Sequence, residues 1–116
     1  MSEFLLLFRG GEGDELRKSP EAWQKHMERW GTWMGELSEQ GKMMGAQPLA
    51  ASGQVVSGQN KIVTDGPFME GKEMVGGYLM CKAANYDEAM EISKGCPILE
   101  FENGIVEVRE IQKLEM

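Results

Sequence analysis

The chain holds a single histidine, His26, and an imidazole titrating near pH 6.5 is the natural acid–base group at neutral pH. Trp30 follows at the i+4 position and Trp33 at i+7. On a helix the ring would therefore border an aromatic surface able to exclude water. The structural alternative is a half-buried histidine packed on Trp30 and bonded to the backbone. The second chemical group is Asp65, in Val63-Thr64-Asp65-Gly66-Pro67-Phe68. An aspartate in a turn usually accepts from the N–H two residues on, but here that residue is Pro67, which has none. The carboxylate must turn to the Phe68 N–H, to another segment or to a ligand. The alternative is a structural turn in which Asp65 ties down its loop. A catalytic assignment pairs His26, as acid or base, with Asp65, as its partner or as a substrate anchor. Trp30, Trp33 and Phe68 would line the cleft.

These residues need elements to hold them. Glu3 to Phe8 reads as a strand whose Phe4, Leu6 and Phe8 fill one face while Leu5 and Leu7 fill the other, so both faces require cover. Ser19-Pro20-Glu21 starts a helix: serine caps, proline suits the first helical position, and glutamate favours the positive end. Trp23, Met27, Trp30, Met34 and Leu37 then form one apolar stripe, expected to pack as core at Met27 and Met34. Gly31 and Gly35, each costing about 1 kcal/mol against alanine, imply a close neighbour on its flank. Gly41 ends the helix.

A second strand lies within Lys42 to Ala51, where Pro48 fits an edge or a bulge. Gln54–Val56 and Lys61–Thr64 flank a four-residue turn and read as a hairpin leading into Asp65. Val75 to Lys82 is the next strand, with Gly76 and Gly77 marking a bulge or a close approach. Asn85 and Glu88 form a capping box for a helix running to Lys94. Asn103-Gly104 is a tight turn before the last strand, Ile105 to Ile111.

Much chemistry is excluded. The glycines in residues 9–14 lack the Lys-Ser/Thr of a phosphate loop, so a crossover loop is expected. Cys81 and Cys96 have no metal-ligand spacing and are expected to be buried thiols. One histidine and two separated cysteines give no haem or metal set, and no cofactor is expected. A net charge of −7 disfavours nucleic acid and anionic membrane. No run nears the roughly 20 apolar residues of a membrane span. Met1 to Leu7 lacks the basic flank and cleavage site of a signal peptide. A cytoplasmic location is expected.

Asp65-Gly66-Pro67-Phe68, then Glu70, Lys72-Glu73 and Gly76-Gly77-Tyr78, resemble the signature of DGPF-domain proteins, part of the YCII-related family. The similarity continues through Asp87-Glu88-Ala89, Gly95-Cys96-Pro97 and Val106-Glu107-Val108-Arg109, and covers most of the chain. Gly71 departs from the threonine frequent in that family. The resemblance implies a ferredoxin-like α+β domain pairing as a dimeric α+β barrel. It also implies a His–Asp pair in the cleft. Here Glu39 stands near where that aspartate would come, and His26 lies further from Gly41 than the family histidine usually lies from its helix-ending glycine.

The 116 residues suit a single domain, 1–116. The order strand, helix, strand, hairpin, strand, helix, strand predicts an antiparallel sheet with both helices on one face. The other face then needs a second subunit, so a homodimer is expected. Two functions follow. One is a cofactor-independent enzyme acting on a small organic molecule, with aromatic substrates suggested by wider-family links to ring dechlorination. The other is a non-catalytic small-molecule-binding or regulatory module, since related proteins often occur beside or fused to alternative sigma factors.

Overall fold

The computed structural model describes residues 1–11, 18–66 and 74–114. The part of the crossover loop at 12–14, and Pro67 and Phe68 with the segment to Glu73, lie outside the described residues. The elements are β1 (Ser2–Arg9), α1 (Pro20–Glu39), β2 (Met43–Pro48), β3 (Gly53–Ser57), β4 (Ile62–Gly66), β5 (Val75–Ala83) and α2 (Tyr86–Lys94). A 3-10 turn, Pro97–Glu100, then leads to β6 (Ile105–Glu110).

β1 lies between β5 and β6, with β2 outside β5, and every pairing is antiparallel. This is the ferredoxin-like α+β order expected from the sequence. β3 and β4 form a separate two-stranded ribbon. Pro48 sits on the edge strand β2, where its missing N–H costs no ladder bond. Gly76 is the bulge: Phe8 pairs with Gly77 and Arg9 with Val75, leaving Gly76 as the extra residue. At Gly77 a Cβ would lie 3.1 Å from the Gln47 carbonyl oxygen and 3.6 Å from the Phe8 ring, so glycine permits a close approach there.

Phe4, Leu6, Phe8, Leu79 and Cys81 point toward the helices and are buried with Trp33, Leu37 and Ala89. Leu5 and Leu7, alternate to them, are half-buried on the opposite face beside Tyr78 and Met80. Among the described residues, the doubly apolar β1 is thus fully buried on one side only.

Ser19 caps α1 by accepting from the Ala22 N–H, and Asn85 caps α2 by accepting from the Glu88 N–H at 2.9 Å. Glu88 does not complete the capping box. Its carboxylate lies 3.4 Å from the Lys42 ammonium, which ties α2 to the start of β2.

α1 turns differently from the expected stripe. Its buried residues are His26, Trp33 and Leu37, whereas Met27 is 49% exposed and Trp30 and Met34 are half-buried. Met27 therefore does not fill the core, while Met34 and Trp30 pack against its edge. Nor do Gly31 and Gly35 show the close neighbour expected, since among the described residues nothing beyond the helix's own turn stands within 4 Å of a Cβ built at either. The sheet-facing line is set by Trp33 and Leu37, and Trp33 anchors it by donating its indole N–H to the Ile92 carbonyl at 3.1 Å. Cys81 and Cys96 are free and buried. Burial pushes the Cys96 thiol up to about 12, leaving it inert as a nucleophile. No helix among the described residues is long and apolar enough to cross a membrane.

Candidate functional site

A cavity of about 310 Å³ opens between α1, the sheet and the 3-10 turn. From α1 come Trp23, His26, Met27, Trp30 and Met34; Trp30 was expected to line the cleft, whereas Met27 and Met34 were expected to pack as core. Phe8, Pro48 and Gly77 form the sheet wall, and Ile98 and Phe101 close the end. The bulge at Gly76 and the missing side chain at Gly77 leave the room. The size lies at the small end of ligand pockets, and the lining is aromatic and apolar.

His26 is 1% exposed and sits in this wall with its ring edge-on to Phe101 at 4.8 Å. Both ring nitrogens are engaged. Nδ1 lies 3.1 Å from Glu100 Oε1, and Nε2 accepts the Trp30 indole N–H at 2.9 Å. Glu100 is itself gripped by Arg29, whose Nε donates to Oε2 at 2.6 Å and whose Nη2 donates to Oε1. The Arg29 hydrogen bonds hold the Glu100 carboxyl below the usual carboxylate range, helped by the bond to His26 and opposed by partial burial. The result is a continuous chain of Trp30, His26, Glu100 and Arg29, running from the cavity to solvent.

The structure brings His26 and Trp30 together in the cavity wall. It does not bring Trp33 or Asp65 there. Trp33 faces the core through its bond to Ile92, and it borders a shallow outer groove with Arg29 and Glu100 instead. Asp65 is exposed near the base of the β3–β4 ribbon, paired with Gln54, and is not among the cavity lining. Among the described residues its carboxylate has no hydrogen-bond or ion-pair partner. The carboxylate at His26 is Glu100. Glu39, which stood near the family aspartate's expected position, is exposed at the end of α1. Phe68 lies outside the described residues.

Sequence reasoning missed Glu100 and Arg29. Glu100 is 74 residues from His26 in the chain. Its only local signal is the Cys96-Pro97 start of a 3-10 turn, and nothing in spacing ties that turn to α1. Arg29 was legible only as the residue three after His26 on one helix face. Among the described residues no three His, Cys, Asp or Glu side chains gather as a metal-ligand set.

The family model for the YCII-related domain matches residues 3–115. No curated protein matches. Among solved structures, the chain resembles 5-chloro-2-hydroxyhydroquinone dehydrochlorinase (TftG) from Burkholderia phenoliruptrix, in complex with 2,5-dihydroxybenzoquinone. The TM-score is 0.52 at 16% identity, over 95% of this chain and 93% of that one. At that identity the likeness is one of fold.

Proposed function

The chain belongs to the YCII-related domain family, and from that premise we propose that its α1–sheet cavity takes a small, flat, largely apolar organic molecule on which His26 acts as the proton-transfer group. The observation that carries this is the placement of the one histidine: in the cavity wall, almost fully buried, with a carboxylate behind it. A base works when its ring is oriented by a third group. Glu100 does this at Nδ1, as Asp65 had been expected to do, and Arg29 holds Glu100 in turn. When Nε2 takes a proton, the Glu100 carboxylate stabilises the imidazolium that forms. Trp30 and Trp23 supply flat apolar walls, and no cofactor is needed for proton transfer of this kind. The dehydrochlorinase that shares this fold is described with a hydroxylated quinone, a ligand of the size and flatness that suit these walls.

A second role is favoured by one bond. The Trp30 N–H occupies Nε2, so no unpaired base faces the cavity, which suits a binding or regulatory module that never turns over. The two roles are separated by His26→Gln. An enzyme keeps fold and binding and loses turnover; a sensor changes affinity modestly and yields no product.

The molecule acts as a cytoplasmic homodimer in this proposal. Leu5, Leu7, Tyr78 and Met80 form an open sheet face that a second copy would cover, and two free buried thiols suit a reducing compartment. The test of the site is a thermal-shift screen of a metabolite library, repeated on Ala46→Phe, which narrows the cavity. Compounds that stabilise both proteins equally bind elsewhere, and a screen yielding only such compounds would sink the proposal.

A further inference from the structure

We infer that the cavity is polarised to accept a hydrogen bond, so that it selects neutral aromatic hydroxyl compounds, and that Glu100 is the positioning residue which sets this polarity. This rests on the cavity being a ligand site. Two contacts fix the His26 tautomer independently. An indole N–H only donates, so the nitrogen it reaches at 2.9 Å, Nε2, carries no proton. An ionised carboxylate only accepts, and Arg29 keeps Glu100 ionised, so Nδ1 must carry the proton it shares with Oε1 at 3.1 Å. Both contacts name the same tautomer. Nε2 is therefore an acceptor on the cavity side, backed by negative charge.

A ligand can engage Nε2 only by replacing the Trp30 N–H there. A hydroxyl does so without loss. Inserted between the two rings, its O–H donates to Nε2 while its oxygen accepts from Trp30 Nε1. An ether oxygen satisfies Trp30 but faces the Nε2 lone pair with no proton. A carboxylate or phenolate does the same with added charge, and no Lys or Arg stands among the described residues of the lining to neutralise it. The aromatic walls at Phe8, Trp23, Trp30 and Phe101 suit a ring behind the hydroxyl.

The test uses protein labelled with 15N at histidine, where the single imidazole needs no assignment. Long-range 15N–1H spectra of the wild type are expected to show Nδ1 protonated and Nε2 not. Nε2 protonated in the empty protein would overturn the inference. Three matched probes are then titrated: 2-naphthol, its methyl ether and 2-naphthoate. The naphthol is expected to bind roughly tenfold or more tighter than the ether, because the ether leaves a buried acceptor unpaired, and to shift Nε2; the naphthoate is expected not to bind. In Glu100→Gln, where the amide oxygen still accepts from Nδ1, tautomer and preference are retained. In Glu100→Ala the Nδ1 proton loses its acceptor and only the Trp30 N–H holds the tautomer; once a ligand displaces that N–H the tautomer redistributes, and the naphthol preference falls toward unity. A structural role alone would not move the tautomer. Equal binding of ether and naphthol at the cavity overturns this inference and leaves the cavity as a ligand site. Failure of all three probes to perturb cavity resonances defeats both.

Discussion

Gly104 is one residue outside β6, and its missing side chain decides where Glu100 stands. A Cβ built there would lie 1.8 Å from the Ile98 carbonyl oxygen and 3.2 Å from that of Phe101. An ordinary carbon–oxygen contact is about 3.3 Å or more, so Gly104→Ala must push the 3-10 turn away by roughly 1.5 Å. The obstacle is backbone, which cannot rotate aside as a side chain would. Overpacking of this kind costs about 1–3 kcal/mol, and a backbone clash belongs at the upper end. At about 2.1 cal/mol/K per residue, a chain of this length loses roughly 4 °C of Tm per kcal/mol. Gly104→Ala is thus expected to melt about 8–12 °C lower by circular dichroism. Glu100 ends that same turn, and its 3.1 Å bond to His26 has little slack. The variant should therefore also change the His26 15N spectrum. A melting temperature within about 2 °C of wild type, with the His26 resonances unmoved, would refute the chain of cause from Gly104 to the imidazole.

Gly31→Ala and Gly35→Ala meet nothing within 4 Å among the described residues and should each stabilise α1 by about 1 kcal/mol, read as higher melting temperatures. Leu7→Lys puts a charge on the open sheet face and should convert a dimer to a monomer in light scattering at micromolar concentration; a wild type that is already monomeric would end the dimer proposal. Glu100 has its folded pKa below the ordinary 4.5, so the stability it adds is present above about pH 4.5 and is lost as pH falls through the lowered value. Glu100→Gln should flatten the acid limb of the stability curve, and an unchanged limb would contradict the Arg29 pairing. Asp65→Ala should alter the melting temperature by no more than about 0.5 kcal/mol equivalent, since Asp65 is exposed and lines no part of the cavity.

Local signals carried most of the fold. The caps at Ser19 and Asn85, the edge proline at Pro48 and the bulge at Gly76 each follow from the chemistry of one or two residues, and all are where the sequence puts them. The hairpin is likewise in place, though β4 continues through Asp65 to Gly66 where a loop was expected. What failed on α1 was the sorting of two residues: Met27, expected in the core, lines the cavity, and Trp33, expected in the cavity, packs in the core. Trp23, Met27, Trp30 and Met34 are evenly spaced and apolar, which is equally the pattern of a core stripe and of a cavity wall. Periodicity measures only that a face avoids water, not whether protein or a ligand covers it. The partner of His26 failed for a different reason. Glu100 reaches it across 74 residues of chain, and such a contact exists only once β1, α1 and the 3-10 turn have been assembled. Asp65 was singled out because its own turn was anomalous, but an anomaly in a turn fixes no direction in space.

The three tryptophans occupy unlike surroundings, and this gives the molecule a built-in optical signal. Trp33 is 8% exposed and bonded to a backbone carbonyl, but its ring stands 5.8 Å from that of Trp30, so its emission is coupled to Trp30. Trp30 shares its N–H with the imidazole, and Trp23 tilts over the same ring with centroids 5.3 Å apart. Anything that enters between Trp30 and His26 changes the dipole next to an indole and the quenching ring beside it. Intrinsic fluorescence should thus follow occupancy in real time, without a label, and Trp30→Phe should reduce that response to the part that Trp23 carries.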